Sequence, residues 1–182
     1  MTQAPTPTPF TIHLPITIRP IMKADLPKLE WFGAYLHFRN LFQHSYDERL
    51  DGRREMLIAD CNGYPIGRLF ILFVSRNHVI ADGRRRAYLY SFAVMEMFRG
   101  SGIGSRLIES AEDLLIARQF LFATIAVAKN NADALRLYQR YGYKIFDEEN
   151  SDWDYLDHQG IRRRVREPCW LLEKRLETEN QS

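Results

Sequence analysis

The sequence predicts an α/β (α+β) domain built on a mixed, mostly antiparallel twisted sheet, with one parallel strand pair and helices on both faces. Two patterns carry this reading. The first half is hairpin-rich: apolar runs at residues 55–60 and 66–74 flank Asn62-Gly63, a favoured two-residue turn. The second half alternates strand, helix, strand, helix, strand. A strand–helix–strand unit makes its two strands, at 87–97 and 121–128, parallel neighbours. The chain has 182 residues and 46% hydrophobic content, enough to bury one substantial core, with no repeat or second domain.

Each element has its own signal. Residues 11–19 read as the first strand, which Pro20 breaks. A helix then opens at Ala24-Asp25-Leu26-Pro27, with Asp25 as candidate cap and Pro27 in the first turn. The aromatic and apolar stretch through Phe42 forms one long or two short helices. After the 62–63 turn and the polar loop 75–86 come the strand 87–97 and a helix over 105–118. That helix places Leu107, Ile108, Ala111, Leu114 and Leu115 on one face. The buried strand 121–128 precedes a helix capped by Asn130 or Asn131 and ended by Gly142, with Ala134, Leu135, Tyr138 and Tyr141 as its inner stripe. Strands at 143–148 and 169–174 close the fold, joined by a long polar loop. Residues 1–10 are expected to be a Thr/Pro-rich disordered tail, 11–176 one domain, and 177–182 a polar tail.

Between the strand at 87–97 and its following helix lies Arg99-Gly100-Ser101-Gly102-Ile103-Gly104. A glycine-rich turn opening a helix offers free backbone N–H groups and the positive end of a dipole, a site for phosphate or pyrophosphate. Arg99 adds a fixed cation. A P-loop is excluded because no Gly-Lys-Ser/Thr follows at the required spacing. A dinucleotide fingerprint is excluded because Ser105 stands where a third glycine is needed and residues 124–129 hold no acidic residue for a ribose. A ligand-free turn is the bland alternative.

Further on stands Asn131-Ala132-Asp133-Ala134-Leu135-Arg136-Leu137-Tyr138-Gln139-Arg140-Tyr141-Gly142-Tyr143. The order and separation of Arg-x-x-Gly-x-Gly and Asn-x-x-Ala-x-x-Leu-Tyr-x-x-x-Gly-Tyr closely resemble the GNAT superfamily of acetyl-CoA-dependent N-acetyltransferases. The resemblance spans about residues 16–148. It implies that the strand before the glycine turn bulges and splays from its parallel neighbour. Backbone groups of Ala93, Val94 and Met95 would then pair with the pantetheine arm, the Val94 N–H polarising the acetyl carbonyl. It further implies that Arg99, Gly100, Ser101, Gly102, Ile103 and Gly104 hold the pyrophosphate, that Asn131 contacts CoA, and that Tyr138 protonates the departing thiolate. Helix cap and core residue are the structural alternatives for Asn131 and Tyr138.

The resemblance supplies no general base. Ala126 and Tyr88 occupy the two positions where relatives carry a glutamate, and Glu96 sits at the exposed strand end. Tyr88, Tyr90 and Ser91 are candidates for a proton relay through water. The resemblance implies that the acceptor enters opposite CoA, between the first helices and the connection of the last two strands. There the chain has Trp31, Tyr35, His37, His44 and Tyr46, then Trp153, Tyr155, Asp157 and His158. Tyr35, Tyr88, Tyr90, Trp153 and Tyr155 are the candidate acceptor contacts. Six carboxylates over residues 147–157 could draw in a cationic amine, or could be neutralised across a hairpin by Arg162-Arg163-Arg164-Val165-Arg166.

The remaining expectations follow from composition. A net charge of +2 argues against nucleic acid, and Arg84-Arg85-Arg86 reads as a loop. No apolar run approaches the ~20 residues needed to cross a bilayer. Cys61 and Cys169 lack metal-ligand spacing and read as free thiols of a cytoplasmic protein, although sequence leaves a bridge open. The expected activity is acetyl transfer from acetyl-CoA, as co-substrate and without a metal, to a small-molecule or peptide amine. The expected partners exclude membrane and nucleic acid and admit a homodimer. The alternative is a catalytically silent acyl-CoA-binding regulatory module; a nucleic-acid-binding domain is a minor third.

Overall fold

The computed structural model describes residues 10–177, so the two expected tails lie outside it apart from residues 10 and 177. One seven-stranded sheet runs in the order β1-β2-β3-β4-β5-β7-β6. Its strands are β1 (Ile16–Pro20), β2 (Arg54–Cys61), β3 (Tyr64–Leu72), β4 (Arg86–Val94), β5 (Phe122–Ala128), β6 (Lys144–Leu156) and β7 (Arg162–Arg175). Every neighbouring pair is antiparallel except β4 and β5, whose crossover is the helix α2 (Ile103–Ala117). The predicted fold class therefore holds, including the position of its parallel pair.

Local chemistry explains the elements. Asn62 and Gly63 both take positive φ, 51° and 80°, which a tight turn twisted to match its flanking strands requires. The apolar stripe of α2, Leu107, Ile108, Ala111 and Leu115, is fully buried against Leu57, Ala59, Leu69 and Ile71 of the sheet. The helix α3 (Ala132–Arg140) packs Ala134, Leu135 and Tyr138 into the same core. On the opposite face, Ile21, Leu29, Phe42, Met56, Ile58 and Phe70 form a second core under α1 (Arg39–Leu50).

Three boundaries differ from the sequence reading. The first strand begins at Ile16, not residue 11. The segment expected to be one or two helices is a 3₁₀ helix (Lys23–Glu30), a short 3₁₀ turn (Leu36–Phe38) and then α1. Pro27 and the left-handed residues Trp31, Phe32 and Gly33 break helical continuity there. The polar connection near the C-terminus is not a loop. β6 and β7 extend as a long hairpin to Leu156 and Arg162. Cross-strand ion pairs hold its tip: Asp152 with Arg164 and Arg166, and Asp154 with Arg162. The charge-pairing alternative is the one realised, and it carries two polar strands that a hydrophobic pattern does not reveal.

Asp25 anchors the first turn as its third residue, not as its cap. It accepts the Met22 N–H at 2.8 Å and both guanidinium arms of Arg19, at 2.7 and 3.0 Å. Burial works against its charge, but the Arg19 hydrogen bonds, the Met22 N–H and the Arg19 charge together hold its pKa below the ordinary value. A depressed folded pKa means stability that is fully present above the unfolded value, about 4, and lost as pH falls through the folded value. Denaturant titrations from about pH 5 to pH 2 should therefore show a shallower acid limb for Asp25→Asn than for wild type. An identical limb in both would remove this pair from acid stability.

Candidate functional site

The site is made by one extra residue in β4. Going along the pair, Phe70 faces Tyr90 and Arg68 faces Ala93, so β4 advances three residues while β3 advances two. Ser91 absorbs the excess with φ 53°, as bulge residues do. The bulge reverses side-chain parity. Leu89 belongs to the α2 core and Tyr90 packs against the α1 core, yet beyond Ser91 both Phe92 and Val94 pack against the α2 core.

The bulge also ends the parallel pairing. β4 and β5 are in register only from Arg86–Phe122 to Leu89–Ile125, while β5 continues to Ala128 with β7 alone. A cleft opens between them. The Met95 N–H donates to the Ile66 carbonyl at 2.8 Å, which makes Gly67–Val94 a non-hydrogen-bonded pair. The Val94 N–H and carbonyl consequently point away from β3, into the splay. Neighbouring Ala93 directs its backbone to β3, and Met95 gives its carbonyl to the Phe98 N–H. Of the three strand positions expected to meet a pantetheine arm, Val94 alone is free to do so through its N–H.

The glycine turn follows at once. Gly100 and Gly102 have φ 75° and 85°, and the Gly102 side would meet nothing within 4 Å if it carried a Cβ. Gly102 directly precedes α2, and no side chain caps that helix, so its first N–H groups face outward unpaired by a cap. The Ser101 hydroxyl donates to the Phe98 carbonyl at 2.5 Å, and Arg99 Nε donates to the Val94 carbonyl at 3.2 Å. Arg99 is thereby folded across the mouth of the cleft. Ile103 is buried in the core beneath the turn. Gly104 serves a different end from the other two glycines: a Cβ there would lie 3.0 Å from Phe92 Cζ, so it lets α2 approach β4.

Across the cleft stands α3. The Asn131 side chain accepts the Ala134 N–H at 3.1 Å, so the cap role is realised while Asn131 stays exposed. Tyr138 is 8% exposed, its ring 6.1 Å from Phe92 and 6.0 Å from Tyr143. Among the described residues its hydroxyl makes no hydrogen bond. Burial raises its pKa well above the ordinary phenol value, so it is a protonated donor throughout the neutral range. Two ties fix the residues just after α3 on α2: Tyr141 hydroxyl with Ser105 hydroxyl, and Tyr143 hydroxyl to Glu112 at 3.0 Å.

On the α1 face the candidate acceptor residues converge through aromatic contacts. Trp153 touches Tyr155, which meets Phe38 at 5.0 Å and His37 at 6.4 Å between centroids; Tyr35 meets both of these and Trp31. Tyr88 and Tyr90 stack at 5.9 Å. The Tyr90 hydroxyl accepts from Arg54 at 2.5 Å and donates to Ser45, tying it to a structural network that includes Glu48. Tyr88 remains, its phenol pushed up first by burial and next by the negative charge of Glu149. His44 points elsewhere, toward Glu48 one helical turn away, and Asp157 closes the hairpin by accepting three hydrogen bonds, from Gln159, Ile161 and Arg163.

Three residues of this region carried no sequence signal. Phe92 and Phe38 are ordinary aromatics until the bulge and the 3₁₀ turn place them. Arg68 sits inside an apolar strand run and is 2% exposed.

A splayed parallel pair, a glycine turn opening α2 and a tyrosine-bearing α3 define an acyltransferase architecture. The Acetyltransferase (GNAT) family model matches residues 21–143, more than half of the chain, and the chain belongs to that family. No curated protein gives a match. Among solved structures, an N-acetyltransferase from Staphylococcus aureus Mu50 is similar at 14% identity and TM-score 0.68, covering 90% of this chain and 99% of that one. A GNAT family acetyltransferase from Elizabethkingia anophelis with acetyl-CoA bound is similar at 19% identity and TM-score 0.60, covering 88% and 98%. Arabidopsis thaliana NAA60 in complex with acetyl-CoA is similar at 18% identity and TM-score 0.65, covering 89% and 99%. At these identities the likeness is one of fold.

Since the Gly104 Cβ would press on a ring that in turn abuts Tyr138, Gly104→Ala should cost about 1–3 kcal/mol, as overpacked cores do. Thermal denaturation followed by circular dichroism would register it. An unchanged melting temperature would show that the Phe92 ring has room to yield.

Proposed function

We propose that the chain transfers an acetyl group directly from acetyl-CoA to an amine. The observation that carries this reading is the cleft between β4 and β5, with an inward Val94 N–H on one wall and the protonated Tyr138 on the other. A thioester carbonyl at the Val94 N–H would be polarised as the amine attacks and an oxyanion develops. The carbon–sulfur bond then breaks, and the thiolate leaves toward Tyr138. With its pKa raised, Tyr138 stays protonated and stabilises the leaving thiolate by hydrogen-bonding the sulfur as charge accumulates, and the thiolate takes its proton from solvent as CoA departs. The pyrophosphate would sit on the N-terminal turn of α2, held by the N–H groups after Gly102 and by Arg99. Bound acetyl-CoA in two structural neighbours supports this ligand.

The amine must be neutral to attack. Ala126 and Tyr88 replace the carboxylates expected for that task, and this absence favours the reading of a silent acyl-CoA-binding module. The carboxylate we assign to the vacancy is Glu149, whose charge reaches Tyr88 and whose oxygens accept from Asn77 at 3.2 Å and Ser151 at 3.1 Å. It can take the ammonium proton through water and the Tyr88 hydroxyl.

Release of free CoA thiol over a broad amine and peptide panel separates the two readings. CoA binding by calorimetry with no turnover on any acceptor would establish the silent module. For the enzyme, Tyr138→Phe should lower kcat by about 10²-fold or more with CoA affinity retained. Full activity in that variant would remove Tyr138 from the reaction. Glu149→Gln should reduce kcat by a similar factor of about 10², most strongly below neutral pH, where the amine is protonated. Equal losses at all pH values would argue for a structural role.

A further inference from the structure

Among the described residues Arg68 is a buried cation with no carboxylate paired to it. It lies on β3 facing the α1 side, and its guanidinium is covered by aromatic rings: Tyr35 at 4.0 Å, Trp31 at 4.6 Å and Phe42 at 5.2 Å from the carbon. Such stacking stabilises positive charge but gives no acceptor to the N–H groups. Nε donates to the Ser91 hydroxyl at 3.2 Å, on the bulge itself. Nη1 is buried and has no hydrogen-bond partner among the described residues. The carboxylates on this face are committed elsewhere: Asp25 and Asp60 to Arg19, Glu30 to Arg39, Glu48 to Arg54 and Arg53, Glu55 to Arg49. A folded protein retains an unpaired buried charge only at a cost of several kcal/mol.

The cover over this charge includes a strained turn. Trp31, Phe32 and Gly33 have φ 44°, 57° and 94°, so two large aromatic residues hold left-handed backbone in succession. The Trp31 indole is pinned to the Pro65 carbonyl at 2.8 Å. The Tyr35 phenol also acts on the Arg68 charge, and its ring lies over the guanidinium and beside Phe38.

We propose that Arg68 is the receptor for a carboxylate on the acceptor, so that the amine acetylated belongs to an amino acid or to a peptide bearing an acidic group near its amine. Turning the Tyr35 ring aside admits the carboxylate to Nη1. A guanidinium pairs a carboxylate through two parallel N–H groups, which suits the free Nη1 edge. Anchored there, the acceptor places its amine beside the bulge, whose far side is the cleft. This inference rests on the acetyl-transfer reading for its chemistry, but not for the anion site.

The test compares matched pairs, on the CoA-loaded protein for binding and with acetyl-CoA supplied for turnover: α-amino acids against their carboxamides, and tetrapeptides differing only by Glu or Gln. Calorimetric binding and CoA-thiol release are both recorded. At least one carboxylate member should exceed its amide partner by about 100-fold in affinity or kcat/KM, a preference lost in Arg68→Met with CoA affinity unchanged. Arg68→Met should also melt higher than wild type, because it removes an unpaired buried charge while keeping the packed volume. A purely structural arginine would give the opposite shift. Absence of carboxylate preference in every pair, or its survival in Arg68→Met and Arg68→Gln, overturns the proposal. Transfer to amides without preference would overturn it while leaving acetyl transfer intact; carboxylate binding without thiol release on any acceptor would do the reverse.

Discussion

One inserted residue in β4 governs the architecture of this domain. Against the antiparallel partner β3 the insertion is absorbed as a bulge in β4, whereas the parallel partner β5 cannot keep its evenly spaced register across it. The strands therefore part at Leu89 and Ile125, and a sheet that would otherwise be continuous acquires a slot near its middle. The same insertion turns Phe92 and Val94 toward α2, which is why Gly104 must lack a Cβ and why Tyr138 has a ring to rest on. It also leaves the Val94 N–H without a strand partner, and an unpartnered backbone donor in a cleft is a binding group.

Much of this was legible in the sequence wherever the requirement is local. The Asn62-Gly63 turn and the glycines before α2 satisfy positive φ, which few residues tolerate. The apolar stripe of α2 and the Asn131 cap answer to helix geometry, and their structural placement matches their reading. The failures share a cause as well. The hairpin of β6 and β7 is held by cross-strand charge pairs, so its strands lack alternation and read as a polar loop. The region from Lys23 to Phe38 is apolar enough for a helix, yet left-handed backbone at Trp31 and Phe32 interrupts it. Nothing in those residue types announces that conformation.

Charge is distributed differently at the two edges of the acceptor face. At the hairpin the acids are matched by arginines, Asp152 with two of them, so the lip that resembled a cation attractor carries little free field. Inside, the balance is reversed, because Arg68 has aromatic rings around it and no acid. Exposed pairs are screened and replaceable, whereas a buried unpaired charge dominates its surroundings in low dielectric. If the acceptor enters as proposed, the potential it meets is set by Arg68, the one fully buried cation among the described residues, more than by the many surface charges.

Donor and acceptor sides consequently depend on different kinds of information. On the proposed reading the donor side uses backbone groups, the Val94 N–H and the first N–H groups of α2, whose exposure demands glycines and a helix start adjacent in sequence. A short motif can encode that. The proposed acceptor side brings Arg68 of β3, Ser91 of β4, Tyr35 of a loop and, through Phe38, Tyr155 of β6 together from separate segments. No local pattern constrains such a set, since each residue alone is an unremarkable member of its strand or turn. Specificity can therefore change by substitution at any one of them without disturbing the slot in the sheet. That separation lets one backbone arrangement persist while the amine it serves differs from one chain to another.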